Sequence, residues 1–145
     1  DPDMLQLHGS ENLARVAAIR ARTGRRIIKA ASVANAADVT AGCAYYAPGR
    51  LADIVLFDAK PPSDPAALPG GNGLAFDWRI LAGVADRMPF ALAGGLTPDN
   101  VAAAIRLTGA RLVDVSSGVE SRPGEKDTTL IRRFLQAAKT AKQTA

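Results

Sequence analysis

One cysteine, one histidine and one tryptophan stand in 145 residues, and aromatic residues make up 5% of the chain. The lone Cys43 excludes an intrachain disulfide framework and suits a reducing compartment, so a cytoplasmic location is expected. With no second histidine and no cysteine near His8 in the sequence, a zinc ligand set is lacking and no metal is expected. Aromatics are sparse and do not interleave with the basic residues. This argues against a nucleic-acid surface, even at a net charge of +4. No apolar run approaches the ~20 residues of a membrane helix, and the first residues carry no basic–apolar leader pattern. Neither nucleic acid nor membrane is therefore expected as a partner. A G-x-S-x-G elbow is also missing, which weakens a nucleophile reading of Ser116 or Ser117.

What is present is an alternation of strand and helix signals. Short apolar runs predict strands at Met4–His8, Arg26–Ala31, Asp53–Phe57, Pro89–Ala93 and Arg111–Val115. Between them, helices are expected from Glu11 to about Thr23 with Ser10 as cap, and from Asn35 to about Tyr46. Two more are expected from Asp77 to about Val84 and from Thr97–Pro98 to about Thr108, and a last one follows Asp127. Gly24 and Gly109 are stop signals. Arg20, Arg22, Arg25, Arg26 and Lys29 read as charges around a helix end, and Arg132, Arg133, Lys139 and Lys142 as the polar face of the terminal helix. Five βα units in series imply a parallel sheet in an α/β fold.

Two of the strands end in glycine-rich segments, Ala91-Leu92-Ala93-Gly94-Gly95-Leu96 and Val113-Asp114-Val115-Ser116-Ser117-Gly118-Val119-Glu120. Glycine permits a sharp turn and close approach to a ligand, and successive N–H groups there make an anion pocket. Two such loops in a row describe the phosphate site of a TIM barrel. A complete (β/α)8 barrel takes ~200–250 residues. The chain, which starts at Asp1, is therefore expected to be an incomplete (βα)5 portion forming a single domain over 1–145.

Strand ends line the active site of such a barrel, and His8, Ala31, Asp58, Gly94 and Ser116 stand there. Asp58 ends a wholly apolar strand. Partial desolvation would raise its pKa and suit a general acid, while a loop-pinning carboxylate is the alternative; position alone leaves both open. A lone His8 is more often structural than catalytic. Ser116 and Ser117 read best as hydroxyls beside a phosphate loop, and Cys43 as a small hydrophobe inside a helix. The long segment Lys60–Ala75, with Gly70-Gly71-Asn72-Gly73 ahead of Phe76-Asp77-Trp78, reads as a lid, a second anion-binding segment or an unstructured loop.

Taken together, Gln6-Leu7-His8-Gly9, Gly70-Gly71-Asn72-Gly73 with Phe76-Asp77-Trp78, Leu92-Ala93-Gly94-Gly95-Leu96 with Pro98 and Asn100-Val101, and Val113–Glu120 resemble the signatures of the phosphoribosylanthranilate isomerase family, in its order. The resemblance maps onto units four to eight of that family's barrel. It implies an Amadori rearrangement in tryptophan biosynthesis, with a phosphorylated small-molecule substrate and no cofactor. By resemblance Asp58 is the catalytic acid that protonates the furanose ring oxygen. Gly94, Gly95, Ser117 and Gly118 grip the phosphate, and His8, Gly71, Gly73, Asp114 and Ser116 line the substrate. The family's base, a cysteine in a Lys-x-Cys-Gly motif, has no counterpart in this chain, and neither the position nor the neighbours of Cys43 fit that role. The isolated chain is therefore expected to be inactive and to need a complementary N-terminal barrel segment, or else to self-associate. The alternatives are a non-catalytic phosphate-binding half-barrel and another phosphate-binding barrel enzyme of the tryptophan or histidine pathways. Against the last stand Gln6–Gly9 and Phe76–Trp78.

Overall fold

Continuous apolar runs with no room for water on either side favour parallel strands covered on both faces. In the computed structural model, which describes residues 2–46, 49–60 and 75–143, five of them pair in parallel in chain order. They are β1 (Met4–Leu7), β2 (Arg26–Val33), β3 (Ile54–Ala59), β4 (Phe90–Leu92) and β5 (Leu112–Val113). Sequential order of parallel strands is the order a barrel wall requires. Helices α1 (Leu13–Thr23), α2 (Ala36–Cys43), α3 (Val101–Thr108) and α4 (Thr128–Gln143) follow four of the strands. A 3-10 turn at Trp78–Leu81 stands where β3 returns to β4.

The register sorts the strand residues onto two faces. Ile28, Ala30, Ile54, Leu56, Ala91 and Ala93 form one apolar cluster that includes no helix residue. On the opposite face Val33, Val55, Phe57, Phe90 and Leu92 pack against Leu81, Val101, Ala104, Ile105 and Phe134. Phe57 and Phe90 meet edge-on, centroids 5.6 Å apart. The helical stripe of α3 follows from its buried residues Val101, Ala104, Ile105 and Thr108, spaced at three and four.

Several boundaries differ from the sequence reading. Asn12, not Ser10, caps α1, its side chain accepting from Arg15 N at 2.9 Å. Helix α2 stops at Cys43, short of Tyr46. Asp77 caps as expected, but only a 3-10 turn follows: the chain leaves helical geometry at Ala82, where ψ is 132°, and Gly83 follows at φ +74°. Thr97-Pro98-Asp99-Asn100 makes a turn of its own, so α3 begins at Val101 with Asn100 as its cap position. Strand β2 runs two residues past Ala31, which faces the helices opposite Phe57, and β3 runs through Asp58 to Ala59. A hairpin of β6 (Glu120–Arg122) and β7 (Glu125–Lys126) follows β5. Lys29 lies buried within β2 rather than beside a helix end.

Asp53 ties the first units together. Its Oδ2 accepts from Arg20 Nη1 at 2.7 Å and from Ile27 N at 2.8 Å. The Arg20 hydrogen bond holds the Asp53 carboxyl below its ordinary value. A depressed carboxyl contributes stability that is present above its unfolded value and lost as pH falls through its folded value. Asp53→Ala is therefore expected to cost on the order of 2 kcal/mol at neutral pH, as for hydrogen bonds to a charged group. The difference from wild type should shrink below about pH 4. Urea unfolding at the two pH values checks both.

Candidate functional site

Partner residues of parallel strands share a face. Asp58 pairs with Ser32, and two residues earlier Leu56 pairs with Ala30 and Ala91. Asp58 thus stands on the strand-only face, at its C-terminal rim, 9% exposed. Gln6, opposite Ile28, brings β1 onto the same face, and His8 follows two residues on. His8 Nε2 lies 3.5 Å from Asp58 Oδ2, and Gln6 Nε2 lies 3.3 Å from His8 Nδ1. Ala59 N donates to Asp58 Oδ1 at 2.8 Å. Burial pushes the Asp58 carboxyl above its ordinary value. The Ala59 bond and the His8 side chain oppose the rise, and the negative charge of Asp114 adds to it. Asp114 is set beside β4 by its own N–H, which donates to Leu92 O at 2.9 Å. A carboxyl that holds its proton more tightly than usual, with an imidazole in contact, has the character of a proton donor.

The two glycine loops close the rim on the other side. Gly94 has φ +82°, and a Cβ there would lie 2.6 Å from Ala59 N. A Cβ on Gly118 would collide with Leu96 O. The loop after β4 is thus pressed between the end of β3 and the 3-10 turn Ser117–Val119, and both contacts exclude any side chain. Asn100 fastens this loop: its Nδ2 donates to Gly95 O and its Oδ1 accepts from Thr97 N, both at 2.8 Å. On the far side Lys126 Nζ donates to Ser116 O at 2.9 Å and to Ser116 Oγ at 3.2 Å, and pairs with Glu120.

Of the residues singled out from the sequence, His8, Asp58 and Asp114 meet at one rim. Gly94, Gly95, Ser116, Ser117 and Gly118 form the adjoining loops. Gly71 and Gly73 lie outside the described residues. Cys43 ends α2 and packs against the helix-side core, where burial pushes its thiol up and away from the thiolate. Two groups escaped the sequence reading. Lys29, with Glu11 and Tyr45, sits under the loop that carries His8. Lys126 is brought to Ser116 by the hairpin. Lys29 had a signal, a lone cation inside Ile27-Ile28-Lys29-Ala30-Ala31, since a charge in a buried strand demands partners.

The sequence pattern of the family described as N-(5′-phosphoribosyl)anthranilate isomerase matches residues 1–137. The isomerase of that name from Paracoccus denitrificans is 59% identical over 136 residues, which are 94% of this chain and 61% of that protein. The crystal structure of phosphoribosyl anthranilate isomerase from Thermotoga maritima superposes with a TM-score of 0.77 at 35% identity, covering 95% of this chain and 62% of the other. A phosphoribosyl anthranilate isomerase in complex with reduced 1-(o-carboxyphenylamino)-1-deoxyribulose 5-phosphate has a TM-score of 0.73 at 33% identity, covering 95% and 60%. The chain spans a little over three-fifths of the length of these relatives.

Proposed function

Because the chain belongs to the N-(5′-phosphoribosyl)anthranilate isomerase family, we propose that it carries the acid and phosphate half of that enzyme's site, on units four to eight of a (β/α)8 barrel. The observation that carries this reading is the meeting of His8, Asp58 and Asp114 at one rim with two abutting glycine loops. The substrate is N-(5′-phosphoribosyl)anthranilate, and the setting is tryptophan biosynthesis in the cytoplasm.

Asp58 gives its proton to the furanose ring oxygen, and the ring opens to a Schiff base. A base then takes the proton from C2, and the resulting enolamine tautomerises to the ketone. Every step is a proton transfer, so no redox group enters. The base comes from a complementary N-terminal segment, since no Lys-x-Cys-Gly strand occurs among these residues. Burial serves the acid directly: the higher its pKa, the larger the fraction protonated near neutral pH. The amides of Gly94 and Gly95, in a turn with φ above zero, and those of Ser117 and Gly118, in a 3-10 turn, hold the phosphate by presenting successive N–H groups to the anion. His8, Ser116, Asp114 and the Gly71–Gly73 segment line the rest of the substrate. A relative that binds a reduced, phosphate-bearing form of the rearranged product supports a phosphorylated ligand at this site.

Titration of the chain with inorganic phosphate tests the reading. Amide resonances of Gly94, Gly95, Ser117 and Gly118 are expected to move together; shifts confined to other surfaces would remove the phosphate assignment. Gly118→Ala is expected to abolish those shifts, because its methyl must displace the Leu96 carbonyl. In the completed enzyme a displacement of about 1 Å in this loop is expected to cost on the order of 10²-fold in kcat/KM.

A further inference from the structure

Lys29 is 3% exposed and stands on the helix-side face of β2, opposite Leu7 of β1 and Val55 of β3. An ammonium has three N–H donors and must place all of them when buried. Its Nζ donates to Ala30 O at 2.6 Å and to Gly9 O at 2.9 Å, with Leu7 O at 3.5 Å. Glu11 Oε2 lies 3.1 Å away as its counter-charge. The same carboxylate accepts from Gly9 N at 3.1 Å. Tyr45 completes the enclosure: its ring centroid is 5.6 Å from Nζ, and its hydroxyl donates to Glu11 O at 2.8 Å. Burial alone would push the Glu11 carboxyl up. Its hydrogen bonds to Lys29 and to backbone, with the Lys29 charge, carry it below the ordinary value instead.

The two outer carbonyls in this clasp, Leu7 and Gly9, flank His8. Nothing in the proton chemistry uses Lys29, Glu11 or Tyr45, yet the segment they hold is the one that presents the imidazole. A cleft of about 270 Å³ lies against the segment, lined by Gly9, Ser10, Glu11, Lys29, Ser32 and Asp38 among others. The His8–Asp58 approach of 3.5 Å is long enough to be lost with a small movement.

We propose that Lys29 is a positioning residue: its ammonium, paired with Glu11, clasps the carbonyls on either side of His8 and so sets the imidazole against Asp58. The inference deepens the reading of Asp58 as the proton donor and rests on it for its functional meaning. Its geometry can be read without turnover.

The test is the titration of the Asp58 carboxyl in the 145-residue chain, followed by carbon-13 NMR. Among the described residues, the groups that act on Asp58 are His8 and Asp114. His8 holds the Asp58 carboxyl down, by its charge and by its hydrogen bond. His8→Asn is therefore expected to raise the Asp58 midpoint. Lys29→Met is expected to raise it as well, and the double variant to go no further than His8→Asn alone. A purely structural lysine would lower stability and leave the midpoint where it was. A direct charge effect of Lys29 on Asp58 would add to that of His8 in the double variant. Either result overturns the proposal. If Lys29→Met does not fold, Glu11→Gln decides: it keeps the ammonium and removes its counter-charge, so a smaller rise is expected, and no rise overturns the proposal. Near-normal turnover of Asp58→Asn in the completed enzyme would instead remove the donor reading, with the titration result standing unchanged.

Discussion

Asp58→Asn, in a barrel completed by the N-terminal units, is expected to lower kcat by about 10²–10⁴, the usual loss on removing a general acid, with a much smaller change in KM. The asparagine keeps the shape and the Oδ1 that accepts from Ala59 N, so the loss falls on the transition state rather than on substrate binding. The same substitution is expected to change stability in the opposite direction. The folded-state pKa of Asp58 is raised by burial. A carboxyl shifted upward costs stability wherever it is ionised, above its folded value, and that cost disappears as pH falls below the unfolded value of about 3.9. The asparagine variant should therefore unfold at a higher temperature than wild type at pH 7, and the advantage should vanish near pH 3. Steady-state kinetics and thermal unfolding at the two pH values separate the outcomes. Near-normal turnover would assign the donor role to another group. A destabilised variant at neutral pH would mean that the carboxylate is held by partners rather than strained by burial.

That Asp58 was worth singling out was legible from the chain alone, because a carboxylate directly after Ile54-Val55-Leu56-Phe57 stands at the end of an apolar run and is partly desolvated there. The strands were readable for the same reason: a strand covered on both faces needs a continuous apolar run, and few other segments here have one. Terminal residues were less readable. Strand pairing extends as far as a neighbour offers hydrogen bonds, so β3 carries Asp58 within it because β2 reaches Val33. Local hydrogen bonds decided the start of α3, where the Asn100 side chain closes a turn that Thr97-Pro98 alone would have continued as helix. The hairpin β6–β7 left no trace in hydrophobic periodicity, since Glu120–Arg122 and Glu125–Lys126 are polar on both faces. Only Pro123-Gly124 marked its turn.

The site divides along the same line. Glycines at strand ends and a carboxylate at a rim are local signals. The clasp on His8 is not, because Lys29 meets Glu11 and Gly9 across 18 and 20 positions of chain, and only the pairing of β1 with β2 brings them together. Gly94 and Gly118 fall between the two cases. Their glycine content was visible, but the reason for it is an approach of backbone to backbone, at Ala59 and at Leu96, that only the folded register creates.

The 145-residue chain by itself is expected to show no isomerase turnover, and activity is expected to appear when the N-terminal units are supplied in trans. Two arguments lead there independently. Chemically, the rearrangement needs a base for the C2 proton, and the chain's one cysteine is Cys43, at the end of α2 with its thiol pushed up by burial. Physically, five parallel strands in sequential order leave β1 and β5 as the ends of the sheet, each paired on one side among the described residues. An open strand edge is a template for another strand. Apolar side chains lie exposed near both ends: Leu13 of α1 at 42%, and Leu112 of β5 and Leu135 of α4 at 48% and 51%. Single exposed leucines are ordinary on a protein surface, so the expectation of a partner rests on the two strand ends. The chain is thus expected to run as a self-associated species in size-exclusion chromatography with light scattering. It should convert to a defined heterocomplex when the complementary (βα)3 segment is added, and turnover should rise from background with that complex. A monodisperse monomer with measurable isomerase turnover would overturn both the edge argument and the division of the site between two halves. A heterocomplex that forms without turnover would retain the edge argument and remove Asp58 and its phosphate loops from the catalytic assignment.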